Sequence, residues 1–122
     1  MTQPSELRRL AEASLPDVAL LALDERLRIT GCAGAIGETH GREPEELLGR
    51  SFEELLAPQS SRAGVHSARL ALDGRTEVLA VRSRSAPDCV LELKTAPLRD
   101  GDGDVVGVIV AARDVTAERS AR

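Results

Sequence analysis

Aromatic side chains are nearly absent from this chain, which has one Phe, no Trp and no Tyr among 122 residues. That removes the flat surfaces on which flavin rings and single-stranded bases stack. The core must instead be built from Leu, Val, Ala and Ile, which bury less area apiece. Cysteine is scarce: Cys32 and Cys89 supply neither a disulfide framework nor a metal-ligand spacing, and they fit a reducing cytoplasm. No apolar run approaches the roughly 18 residues of a membrane span. The opening Met1–Glu6 lacks the basic-then-apolar order of a signal peptide. Positive charge is not in excess. The net charge is −4 and the pI about 5.2, which disfavours nucleic acid and anionic membrane surfaces as partners. Enzyme signatures are missing too: there is no Gly-x-Ser-x-Gly, no Walker loop and no His-Glu-x-x-His. Two His and a single Lys leave little from which to assemble an acid/base site.

What is present is the composition of one globular domain, 42% hydrophobic and 30% charged. Ser5 can cap a short helix over Glu6–Ser14, with Leu7, Leu10 and Ala11 at helical spacing, and Pro16-Asp17 ends it. Val18–Leu23 reads as a buried strand, Asp24–Arg26 as a turn and Leu27–Thr30 as a second strand. Gly31–Gly41 is rich in small residues and irregular. Arg42–Gly49 reads as one helical turn, with Pro44 at its start and Gly49 as a left-handed stop. Ser51–Glu54 matches a capping box. Ser60 or Ser61 caps a longer helix to Leu72, stopped by Asp73-Gly74. On that helix Val65, Ala68 and Leu72 form the apolar face, and Arg62, His66, Arg69 and Asp73 the polar one.

Three strands follow. Glu77–Arg84 is the first. Val90–Thr95 alternates, with Leu91, Leu93 and Thr95 on one face. Val105–Ala112 is apolar enough to be central in its sheet. The Asp100–Asp104 segment mimics the start of a calcium loop, but Val105 and Ala111 stand where such a loop needs Gly and Glu, so it reads as a hairpin turn. Strands separated by a helical block predict an α+β fold with an antiparallel sheet.

This order, with its motifs, resembles the PAS sensor domains. Arg28-Ile29 opens the second strand, and Pro44–Ser51 is similar to the segment between the short PAS helices. Ala96–Asp100 with Gly103 and Gly107, then Arg113-Asp114-Val115-Thr116, resemble the closing hairpin and its exit. The resemblance implies a five-stranded antiparallel sheet with short helices on one face and an N-terminal cap helix. It divides the chain into a cap or dimerisation helix at 1–14, a sensor domain at 15–116 and the start of an output helix at 117–122. Two features depart from the family. Ala33 stands where an Asn often organises the following helices, and the flavin-attacking Cys motif of photosensors does not occur.

The resemblance implies a ligand pocket between sheet and helices, which strand parity places at Leu91, Leu93, Thr95, Val108 and Val110, with Val106 in register, and to which the apolar helix face adds Val65. It assigns signal relay to Asp114 and Thr116, the latter also a candidate cap for a helix starting near Ala117. Leu7, Leu10 and Ala11 are the expected dimer interface. Some PAS domains hold heme through a His on the long helix. Here His66 shares the polar face, and counting from Pro58 puts the heme position on Val65, so no cofactor and no metal are expected. His40 reads as a loop residue and both Cys as packing residues. The expectation is a non-catalytic, cytoplasmic sensory module that homodimerises. It binds a small apolar ligand or a protein partner and relays to an output domain or partner signalling protein. The alternatives are a ligand-free scaffold that only homodimerises and a heme-binding gas or redox sensor.

Overall fold

The computed structural model describes residues 18–34 and 44–117. The expected helix bearing Leu7, Leu10 and Ala11, the His40 loop and the chain beyond Ala117 lie outside the described residues. Five strands, β1 (Val18–Leu23), β2 (Ile29–Gly34), β3 (Glu77–Arg82), β4 (Val90–Arg99) and β5 (Val105–Asp114), form one antiparallel sheet in the order β2-β1-β5-β4-β3. Between β2 and β3 run α1 (Pro44–Leu47), a 3-10 turn (Phe52–Leu55) and the long helix α2 (Pro58–Leu72). β5 is flanked on both sides, by β1 and β4, which is why its sequence is apolar nearly throughout.

β2 lies further along the chain than its alternation suggested. Leu27 takes a left-handed conformation (φ 62°) inside a turn organised by Asp24, whose Oδ1 accepts the N–H groups of Arg26 and Arg28 at 2.8 and 2.9 Å. The strand then uses the small residues read as irregular, pairing Leu20 with Ala33 and Leu21 with Cys32. The expected capping box is absent as well, since the Ser51 side chain makes no cap bond. Ala57, not Ser60 or Ser61, precedes α2, and Pro58 opens it. Proline at the first helical position gives up an N–H that has no helical partner anyway. The two serines turn to other tasks. Ser60 Oγ accepts the Arg82 N–H at 2.8 Å, and Ser61 donates to Glu53 Oε1 at 2.8 Å.

The Ser60 bond belongs to one of two clasps, one at each sheet edge. On the β2 side, Gly49 N–H donates to the Ile29 carbonyl at 2.7 Å and Phe52 N–H to the Leu27 carbonyl at 2.9 Å. On the β3 side, Ala57 N–H donates to Arg82 and Arg84 N–H to Leu55, both at 2.9 Å. The helical block is thereby bonded to both edge strands, and backbone groups that could pair with another chain are partly used up.

The main core fills the helix-facing side: Leu21, Leu23, Ile29, Leu47, Phe52, Leu56, Leu91, Leu93, Val108 and Val110 are all buried there. The face that α2 turns inward is small, comprising Ser60, Gly64, Ser67, Ala68 and Ala71. Val65 and Leu72, expected on that face, are half-buried at its flanks. Small residues let the helix approach closely. A Cβ on Gly64 would stand 2.3 Å from Leu56 Cδ1. A second, smaller cluster occupies the opposite side of the sheet. Leu20, Ala22 and Ala33 are buried there, with Val18, Leu98, Ile109 and Ala111 against them, as the period-two alternation of β1 requires.

Candidate functional site

Three places could carry function: the interior between α2 and the sheet, the exit of β5, and the outward face of α2. In the interior, Leu91, Leu93 and Thr95 alternate along β4, and Val108 and Val110 along β5, all with 3% exposure or less. Strand register brings Thr95 beside Val110 and Leu93 beside Ala112. The polar feature here is Thr95, fully buried, whose hydroxyl lies 2.5 Å from that of Ser67 on α2 and 3.4 Å from the Ser67 carbonyl. Each hydroxyl can donate once and accept, so the pair satisfies itself without water. Val106 is half-buried at the start of β5. Val65 packs on the core from its flank and also lines the outer groove described below.

Sequence reasoning missed Ser67. The visible signal was a hydroxyl within the small-residue stripe at positions 60, 64, 67 and 71, whose spacings of four, three and four trace one helix face.

At the exit of β5, Val90 is bound twice. Its N–H donates to Thr116 Oγ1 at 2.8 Å, and its carbonyl accepts the Val115 N–H at 2.9 Å. Asp114 Oδ1 in turn accepts the Thr116 N–H at 2.9 Å, the bond an N-cap residue makes. The cap-type acceptor is therefore Asp114, while the Thr116 hydroxyl spans to the neighbouring strand. Side-chain and backbone hydrogen bonds from Thr116 hold the Asp114 carboxyl below its ordinary value. Val115 between them is buried. The first residue of β4, a strand that lines the core, is thus tied directly to the point where the chain leaves the sheet.

The outward face of α2 forms an open groove of about 440 Å³ lined by Glu53, Pro58, Ser61, Arg62, Val65, His66 and Arg69. Arg62, His66 and Arg69 are exposed. An iron ligand for a heme between helix and sheet would have to project from the face of Ala68 and Ala71; His66 lies on the other side, so it does not fit that role. Among the described residues no group of three His, Cys, Asp or Glu could hold a metal ion. Burial, and secondarily Glu45, raises the Cys32 thiol above its ordinary pKa, the opposite of what a reactive thiolate needs. No described helix is long and apolar enough to cross a membrane.

The family model of the PAS fold matches residues 13–120. Among solved structures, a PAS domain from Colwellia psychrerythraea superposes with a TM-score of 0.71 at 18% identity, covering 91% of this chain and 98% of the other. A domain described as that of a light- and redox-sensing histidine kinase from Haloarcula marismortui gives 0.69 at 19% identity, covering 89% and 99%. The Cycle PAS-B domain of Drosophila melanogaster, with bound ethylene glycol, gives 0.66 at 15% identity, covering 79% and 98%. No curated protein matches the sequence.

Proposed function

The chain belongs to the family of the PAS fold, and from that premise we propose that it is a non-catalytic sensory and dimerisation module of a signalling protein. The observation that carries the reading is the double tie from Val90 to Val115 and Thr116. A shift of β4 against its neighbours must strain or release this tie, which makes it a two-position element for relay from Asp114 and Thr116 to whatever follows. The input is a small apolar ligand lodged among Leu91, Leu93, Thr95, Val108 and Val110, or a protein partner pressing on the same layer. No prosthetic group takes part. Homodimerisation draws on Leu7, Leu10 and Ala11 and on the apolar outer side of the sheet around Ile109 and Ala111.

A second reading, a scaffold that dimerises without a ligand, is favoured by one feature. The Ser67–Thr95 pair is self-satisfied and α2 sits close on small residues, which leaves neither hydroxyl calling for a ligand. Thr116→Val separates the two. In the sensory reading it alters the dimer's dissociation constant or its small-angle scattering profile while circular dichroism stays native. An unchanged dimer sinks the relay, and a chain that stays monomeric at all concentrations sinks both readings.

A further inference from the structure

The chain carries 20 Asp and Glu against 16 Lys and Arg, yet the longest described helix, α2, holds no acidic residue at all. Acids are normally favoured in a first helical turn, where they offset the positive end of the helix dipole; α2 leaves that end without an acid of its own. Arg62, His66 and Arg69 follow at spacings of four and three, so they project from one face as a row. Seven residues of helix set Arg62 and Arg69 about 10 Å apart along the axis. Among the described residues, no side-chain hydrogen bond or ion pair engages any of the three.

The row borders the open groove already described, where Pro58 precedes Arg62 and half-buried Val65 lies between Arg62 and Arg69, so both give the groove apolar surface. The single acid lining it, Glu53, accepts a hydrogen bond from Ser61. Arg62 and Arg69 are exposed charges that no described side chain pairs, although Glu53 lines the groove and Asp73 follows Arg69 at the helix end, and α2 also packs on the core-lining strands.

We propose that this groove docks an acidic helical segment of a partner protein. A helix with Asp or Glu at spacings of four and three presents carboxylates at the same rise as the row, and an intervening Leu or Ala seats on Val65 and Pro58. The surface lies on the opposite side of α2 from the ligand layer and does not depend on that layer being occupied.

The test uses a fluorescein-labelled Ala/Leu/Glu peptide with Glu on one helical face, titrated by anisotropy, and by nitrogen-15 NMR on the labelled chain. Binding is expected to perturb residues 58–69 first and to weaken with salt. Arg62→Gln with Arg69→Gln weakens it about fivefold or more, the sum of two exposed charge contacts. Both side chains are exposed, so the double variant keeps the native melting curve, and Arg62→Lys with Arg69→Lys retains most of the binding. Four results overturn the proposal: equal binding by the Gln variant, equal binding of the peptide with Gln in place of Glu, competition by inorganic phosphate at the peptide's own concentration, which marks a simple-anion site, or self-association of the wild type that the Gln variant abolishes, which makes a second copy the occupant.

Discussion

Ser67 and Thr95 hold each other across the core, hydroxyl to hydroxyl at 2.5 Å, one on the inward face of α2 and the other on β4. In an apolar layer this bond fixes how the helix sits on the sheet, because a slip of α2 would leave two buried hydroxyls without partners.

Replacing either partner is expected to cost about 1–2 kcal/mol, the range for a buried hydrogen bond whose remaining group finds partial compensation. Thr95→Val and Ser67→Ala together should cost less than the sum of the single changes by roughly 1 kcal/mol, since the double variant leaves no orphan. Urea denaturation of the four proteins checks this. Strict additivity would mean the bond contributes nothing of its own.

Asp114 sets an acid limb on stability. Its carboxyl is held below the ordinary value by Thr116, so the folded chain binds that proton less tightly than the unfolded one. Its contribution is complete above the ordinary carboxylate range and is lost as pH falls through the lower folded value. Asp114→Ala should cost about 0.5–1 kcal/mol at neutral pH, the low end for a cap because the carboxylate is exposed. The gap to wild type closes in acid. Thermal melts from neutral pH downward would show it, and a gap that stays constant would sink the assignment.

Gly107 and Gly101 should respond oppositely to alanine. A Cβ on Gly107 would stand 2.1 Å from the Leu23 carbonyl oxygen, a backbone atom that cannot step aside. Gly107→Ala is expected to cost about 3 kcal/mol or more by forcing β1 from β5. Gly101, with nothing within 4 Å, should tolerate Ala within about 0.5 kcal/mol. Comparable melting temperatures for the two variants would contradict the close β1–β5 approach.

The absorption spectrum tests the absence of a prosthetic group. With one Phe and neither Trp nor Tyr, the chain itself is nearly transparent beyond the peptide bands. Freshly purified protein should be blank there, and His66→Ala should change nothing. A Soret band abolished by His66→Ala would overturn the placement of His66 on the outward face of α2.

Much of the architecture was readable because local rules and tertiary demands agree. The apolar run of β5 predicts a central strand, and it lies between β1 and β4. Gly49 and Gly74 stop their helices with φ of 83° and 90°, where a side chain would be strained. β2 lies beyond the span its sequence suggests because Gly31, Ala33 and Gly34 carry almost no strand propensity, and pairing with β1 makes them a strand. The inward face of α2 differs from the one hydrophobicity points to, Val65 and Leu72, because close packing on the sheet favours the small side, Gly64, Ser67 and Ala71.

By itself the amino-acid order determined the α+β class, the hairpin at Asp100–Asp104 and the left-handed stops, because each depends on residues a few positions apart. Only the tertiary structure decided that Thr116 reaches Val90, that Ser67 meets Thr95 and that Ser60 secures Arg82. Those partners are 22 to 28 residues apart in sequence. A hydroxyl can satisfy itself locally in a cap or turn as readily as at long range, so which bond it makes is settled by the packing that brings distant strands and helix together.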